Sequence, residues 1–132
     1  MTDATTHYLL LYTDAPDGEP WSEESDDIAD WLESVADGIR ITGERLTGAT
    51  EARRITKRAG EVTQVDGPFP EFKEWFAGFD LVAAPDLETA SEIGSRHPCA
   101  RFGRVYVLPL RHVLQPNELL LATVRARGSA AV

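Results

Sequence analysis

Asp66-Gly67-Pro68-Phe69 sets a break that neither a strand nor a helix can run through. Proline lacks the N–H that a strand ladder needs, and it bars the helical region to the residue before it. Pro70, with Glu71 just behind it, predicts a short helix through Trp75, because a proline at a first helical position lacks only a donor that would be unpaired there anyway. Upstream, Arg53 to Arg58 and Glu61 to Val65 flank Ala59-Gly60. This predicts a hairpin, in which a two-residue turn would put Arg58 opposite Glu61; the pattern alone leaves the register open.

The rest of the chain supplies strands and two longer helices. His7 to Thr13 is an apolar and aromatic run closed by Asp14-Ala15-Pro16-Asp17-Gly18, a buried strand ended by a turn. Ile28, Trp31, Leu32 and Val35 recur at helical spacing within Ser22 to Asp37, with Ser22 as cap and Gly38 as stop. Ile39 to Thr50 reads as a strand interrupted near Gly43 and Gly48, and Trp75 to Ala84 as another. Asp86 caps a helix whose Leu87, Ala90, Ile93 and Gly94 share a face, and Pro98 ends it. Val105 to Leu110 is the last core strand.

Strand, helix, strand, hairpin, strand, helix, strand is an α+β order, best met by a ferredoxin-like sandwich with an inserted hairpin. One sheet face takes both helices. Alternation along Phe79-Asp80-Leu81-Val82 puts Phe79, Leu81 and Ala83 under the helices. Tyr8, Leu10, Tyr12, Val82 and Tyr106 then share the other face, and so much exposed apolar surface predicts a homodimer packed sheet to sheet. Residues 1–112 form the domain, with 113–132 an extension packed on it or on the dimer partner. Within that extension Leu119 to Val124 is apolar, consistent with a helix or with a strand added to a partner's sheet.

Net charge is −9, and residues 1–37 carry eleven Asp or Glu with no Lys or Arg. Nucleic-acid binding is disfavoured, since it needs a dominant basic surface. The start lacks the pattern of a signal peptide and no apolar stretch is long enough to span a bilayer, so a cytoplasmic location is expected. Cys99 is the single cysteine, which excludes an internal disulfide and reads more simply as a buried thiol than as a nucleophile. No two histidines stand at metal-ligand spacing on one element, and no nucleotide motif occurs, so neither metal nor cofactor is expected.

Three residues are acid–base candidates. Asp66, on a loop at a strand end, either takes a substrate proton or closes an Asx-type turn. His97 sits at a helix end, as an acid–base group or a cap. Asp80 interrupts a strand otherwise suited to burial, and a buried carboxylate is costly unless paired. If Val105 and Val107 face the helices, Arg104, Tyr106 and Leu108 join Asp80 on the cleft side. In that reading Asp80→Asn spares the fold and weakens function.

Gly60-Glu61-Val62, a strand, Asp66-Gly67-Pro68-Phe69, a short helix, the Gly78-Phe79 strand, an acidic-start helix and His97-Pro98 follow one another in this order. From His7 to Arg111 the series resembles the DGPF branch of the YCII-related proteins. The resemblance implies a dimeric α+β barrel with a cleft between or beside the sheets. It also implies a small cofactor-independent enzyme, a lyase, isomerase or cyclase, acting on a small organic molecule. Asp66, Asp80 and His97 would be its acid–base groups, Arg104 and Tyr106 would meet the substrate, and Tyr8, Tyr12, Trp75 and Phe79 would wall the pocket. The last strand departs from the related proteins: it reads Val105-Tyr106-Val107-Leu108-Pro109, where theirs commonly reads Val-Glu-Val-Arg-Pro. The first helix carries no histidine for the dyad proposed in the wider group. Similar proteins are often encoded beside extracytoplasmic-function sigma factors, which implies as the alternative a non-enzymatic binding or regulatory module.

Overall fold

The computed structural model describes residues 5–112. The chain runs β1 (Thr6–Asp14), α1 (Ile28–Ser34), β2 (Arg40–Arg45), a single 3-10 turn (Ala49–Glu51), β3 (Arg53–Arg58) and β4 (Glu61–Asp66). It continues through β5 (Phe76–Ala84), α2 (Leu87–Ser95), α3 (Cys99–Phe102) and β6 (Gly103–Pro109). Four strands form one sheet in the order β2-β5-β1-β6, each pair antiparallel, and β3 and β4 form a separate hairpin. This is the ferredoxin-like α+β arrangement with a hairpin inserted between its second and third strands.

Register assigns the faces. Tyr8 pairs with Val82, Leu10 with Asp80 and Tyr12 with Gly78, while on its other side β1 sets Leu10 beside Val107 and Tyr12 beside Val105. These residues face the helices: Tyr8, Leu10, Tyr12 and Val82 form one core with Trp31 and Val35 from the α1 region and Ala90 and Ile93 from α2. The expected phase of β1 and β5 is therefore reversed, and Leu9, Leu11, Phe79, Leu81 and Ala83 lie on the open face. Leu9-Leu10-Leu11 is apolar on both faces and carries no phase of its own, so only the pairing decides. In β6 the expectation holds: Val105 and Val107 pack on the core, leaving Tyr106 and Leu108 on the open side.

Local chemistry explains the other differences. The first helix is shorter than Ser22–Asp37, because Ser22 and Asp26 side chains bond the Ser25 and Ile28 amides at 3.2 and 3.3 Å and hold 22–27 in turns. Residues 70–75 make a turn, with Phe72 N donating to Phe69 O at 3.0 Å, instead of a helix. Phe69, Phe72, Trp75 and Phe76 cluster there in edge-on and tilted contacts, with centroids 5.0 to 6.3 Å apart. Gly67 is needed because a Cβ would fall 1.9 Å from the Ala49 carbonyl oxygen. The hairpin turn falls where predicted, with Arg58 opposite Glu61 and positive φ at Ala59 and Gly60. Asp86 caps α2 through the Thr89 amide at 2.8 Å. The expectations for 113–132 lie outside the described residues.

Candidate active site between the helices and the sheet

The site starts from a charge that the core should reject. Asp80 points under the helices and is only 5% exposed. It is held because each carboxylate oxygen takes one donor: Arg40 Nε at 2.6 Å on Oδ1 and the Tyr12 hydroxyl at 2.6 Å on Oδ2. Arg40 also donates to the Gly43 carbonyl at 3.0 Å. Gly43 lies opposite Asp80 on β2, and a Cβ there would come within 1.7 Å of Oδ1, so glycine makes the room that the carboxylate occupies. Burial, then the hydrogen bond to Asp80, raise the Tyr12 pKa far above the ordinary tyrosine value, so its hydroxyl stays a donor.

His97 lies over this network. Its ring stacks on Tyr12 at 3.9 Å and 18° and meets Trp31 edge-on at 4.6 Å, and Trp31 Nε1 is anchored by the Ile93 carbonyl at 2.9 Å. Nδ1 accepts the Cys99 amide at 3.0 Å, so it carries a lone pair. Burial pushes the imidazole down to about 4, against the smaller opposing pull of Asp80, Asp26 and Asp27. A neutral ring with Nδ1 engaged carries its proton on Nε2.

That nitrogen has no hydrogen-bond partner among the described residues, yet no buried polar side-chain atom is left unsatisfied there. Nε2 is therefore not sealed from solvent, and His97 lines an open groove of about 460 Å³ between α1 and the α2–α3 junction. Asp27, Asp30 and Ser34 line one side of the groove, and Ser95, Arg96 and Arg101 the other. Burial raises the nearby Cys99 thiol to about 11, which keeps it protonated and unreactive.

A second polar cluster occupies the open sheet face. Glu74 accepts from Thr13 Oγ1 at 2.6 Å, Tyr106 at 3.0 Å and Arg104 at 2.6 Å, and Arg104 also holds Asp17 at 2.9 Å. The Thr13 hydroxyl is the main cause that lowers the Glu74 carboxyl, and Glu74 in turn raises Tyr106.

Of the candidates from sequence, Asp80, His97 and Tyr12 come together. Arg104 and Tyr106 do not join them, because β1 and β5 present the opposite phase. Asp66 is exposed at the hairpin root and paired with Arg53 at 2.8 Å, Tyr8 is core, Trp75 belongs to the aromatic turn and Phe79 to the open face. Arg40, Trp31 and Glu74 were not anticipated. Only Arg40 had a signal: a carboxylate inside a strand requires a cation somewhere in the chain.

The chain is thus a ferredoxin-like α+β domain with an ionisable network sealed between sheet and helices. It belongs to the YCII-related family, whose domain matches residues 6–113. It is also 31% identical over 121 residues to Uncharacterized protein R00369 of Rhizobium meliloti (strain 1021), covering 84% of this chain and 95% of that one. Among the described residues no helix is long and apolar enough to cross a membrane.

Proposed function

We propose that this chain is a small, cofactor-independent acid–base enzyme that moves a proton on a small carbonyl compound, as a lyase, isomerase or cyclase does. One observation carries the reading: His97, 7% exposed over a buried charged network, keeps one ring nitrogen for a ligand. A neutral imidazole donating through Nε2 can hold the oxygen on which negative charge grows as a neighbouring C–H is ionised. Asp27 and Asp30, in the same groove, are the groups that accept that proton. Tyr12, held by Asp80 and Arg40, fixes the plane of the ring, and these three act as positioning residues.

The functional unit in this reading is a homodimer. Its interface is the open sheet face with Leu9, Leu11, Phe79, Leu81 and Leu108, where Leu108 is 43% exposed in a single chain. The groove lies on the helix side of the sheet and is not formed by that interface.

The test is proton NMR in D2O with a panel of 2-oxo acids, β-keto acids and lactones, comparing the protein with His97→Asn. Asn keeps an acceptor for the Cys99 amide and loses Nε2. Faster loss of the C–H signal beside a carbonyl, abolished in the variant while far-ultraviolet circular dichroism is unchanged, is the expected result. If no compound exchanges faster than in buffer, the enzymatic reading fails. Binding without exchange supports the alternative, a small-molecule-binding or regulatory module.

A further inference from the structure

The two walls of the groove carry opposite charge. Asp27 and Asp30 stand on the α1 side, Arg96 and Arg101 on the side built by the end of α2 and by α3. No ion pair joins the walls, and among the described residues neither aspartate has an ion-pair partner. The arginines are held loosely, Arg96 by Glu92 at 3.8 Å, and Arg101 by Glu19 at 3.9 Å and by a 3.4 Å hydrogen bond from Nη1 to the Ser25 carbonyl. Exposed pairs of this kind contribute under about 1 kcal/mol, so both guanidiniums are available to a better partner. His97, nine-tenths buried, also lines the groove, and its Nε2 is a donor with no partner among the described residues.

An anion would satisfy the arginines and leave the aspartates facing it, and a cation would do the reverse. We infer that the groove takes a small zwitterion of amino-acid type, its carboxylate held by Arg96 and Arg101, its ammonium by Asp27 and Asp30, with His97 Nε2 donating to an oxygen between them. The open groove of about 460 Å³ has ample room for a molecule of this kind. The inference rests on the groove of the proton-transfer reading and names its substrate class.

The experiment is a titration of the 15N-labelled full chain with L-alanine, L-glutamine and 4-aminobutyrate, against propionate and propylamine as singly charged controls. Groove amides near Asp30, Arg96 and His97 are expected to shift with at least one amino compound, with affinity about tenfold or more above either control. The double variants Asp27→Asn/Asp30→Asn and Arg96→Gln/Arg101→Gln should each weaken that binding about tenfold with an unchanged melting temperature. Equal binding of propionate or propylamine, or no groove shift with any amino compound, overturns the inference. The two readings fail separately: exchange in carbonyl compounds that lack an ammonium, without amino-compound binding, leaves proton transfer standing and removes the zwitterion. Zwitterion binding without exchange does the opposite.

Discussion

Asp80→Asn replaces a carboxylate that receives two 2.6 Å hydrogen bonds with an amide that has one acceptor oxygen. Either Tyr12 or Arg40 then faces an NH2 group, and Arg40 loses its counter-charge. Hydrogen bonds to a charged group are worth about 1.5–3 kcal/mol each, and breaking a buried pair costs about 3–5 kcal/mol. The Arg40 side chain is 32% exposed and recovers part of its hydration, which places the loss at the lower end, about 3 kcal/mol. With an unfolding entropy of about 2.1 cal/mol/K per residue, the 132-residue chain should lose about 10 °C in melting temperature. This reverses the expectation from strand pattern, in which the substitution spares the fold. Thermal and urea unfolding at pH 7, monitored by circular dichroism, measure it. A cycle of Asp80→Leu, Arg40→Met and the double variant should give a coupling of about 2 kcal/mol. A fall below about 3 °C for Asp80→Asn, or a coupling near zero, would show the pair to be hydrated and refute the reasoning.

Acidification should destabilise the fold through His97. Its pKa of about 4 lies below the ordinary 6.5, so the unfolded chain takes up the proton first. The stability it contributes is complete above pH 6.5 and lost as pH falls toward 4, about 3 kcal/mol in all. His97→Asn should remove that part of the slope, and identical urea curves for both proteins across the window would contradict it. Gly43→Ala should destabilise by about 2 kcal/mol or more, since its Cβ would meet Asp80 Oδ1 at 1.7 Å; an unchanged melting temperature would mean that the carboxylate does not sit over Gly43. Leu81→Asp, on the open face, should give the mass of a single chain in light scattering where the unaltered protein gives two; a wild-type monomer would remove the proposed interface.

What the sequence made legible is what is decided locally. The Asp86 cap, the Ala59-Gly60 turn and the end of α2 before Pro98 each depend on a few neighbouring residues, and each is found, whereas the first helix ends at Ser34, short of the Gly38 stop, which lies in the turn that follows. The phase of β1 was not legible, because Leu9, Leu10 and Leu11 fit either face. Nor was the burial of Asp80, whose partner Arg40 is 40 residues away and whose space depends on a glycine of another strand. His97 could be marked as a titratable group beside a helix end. Its role in the site follows only from the sheet that brings Tyr12 beneath it.

Tyr12 and Thr13 are consecutive residues of β1 whose side chains close two unrelated polar clusters, one against Asp80 under the helices and one against Glu74 on the open face. The strand is toothed on both edges like a double-sided key. A slip of one position would present each cluster with the other's residue. Length changes on this side of the molecule are best taken up after Asp14, in the acidic connection to α1, and single-residue insertions within 8–13 should yield no folded protein, whereas an insertion beside the exposed Pro20, past the anchored Asp17, Gly18 and Glu19, has somewhere to go.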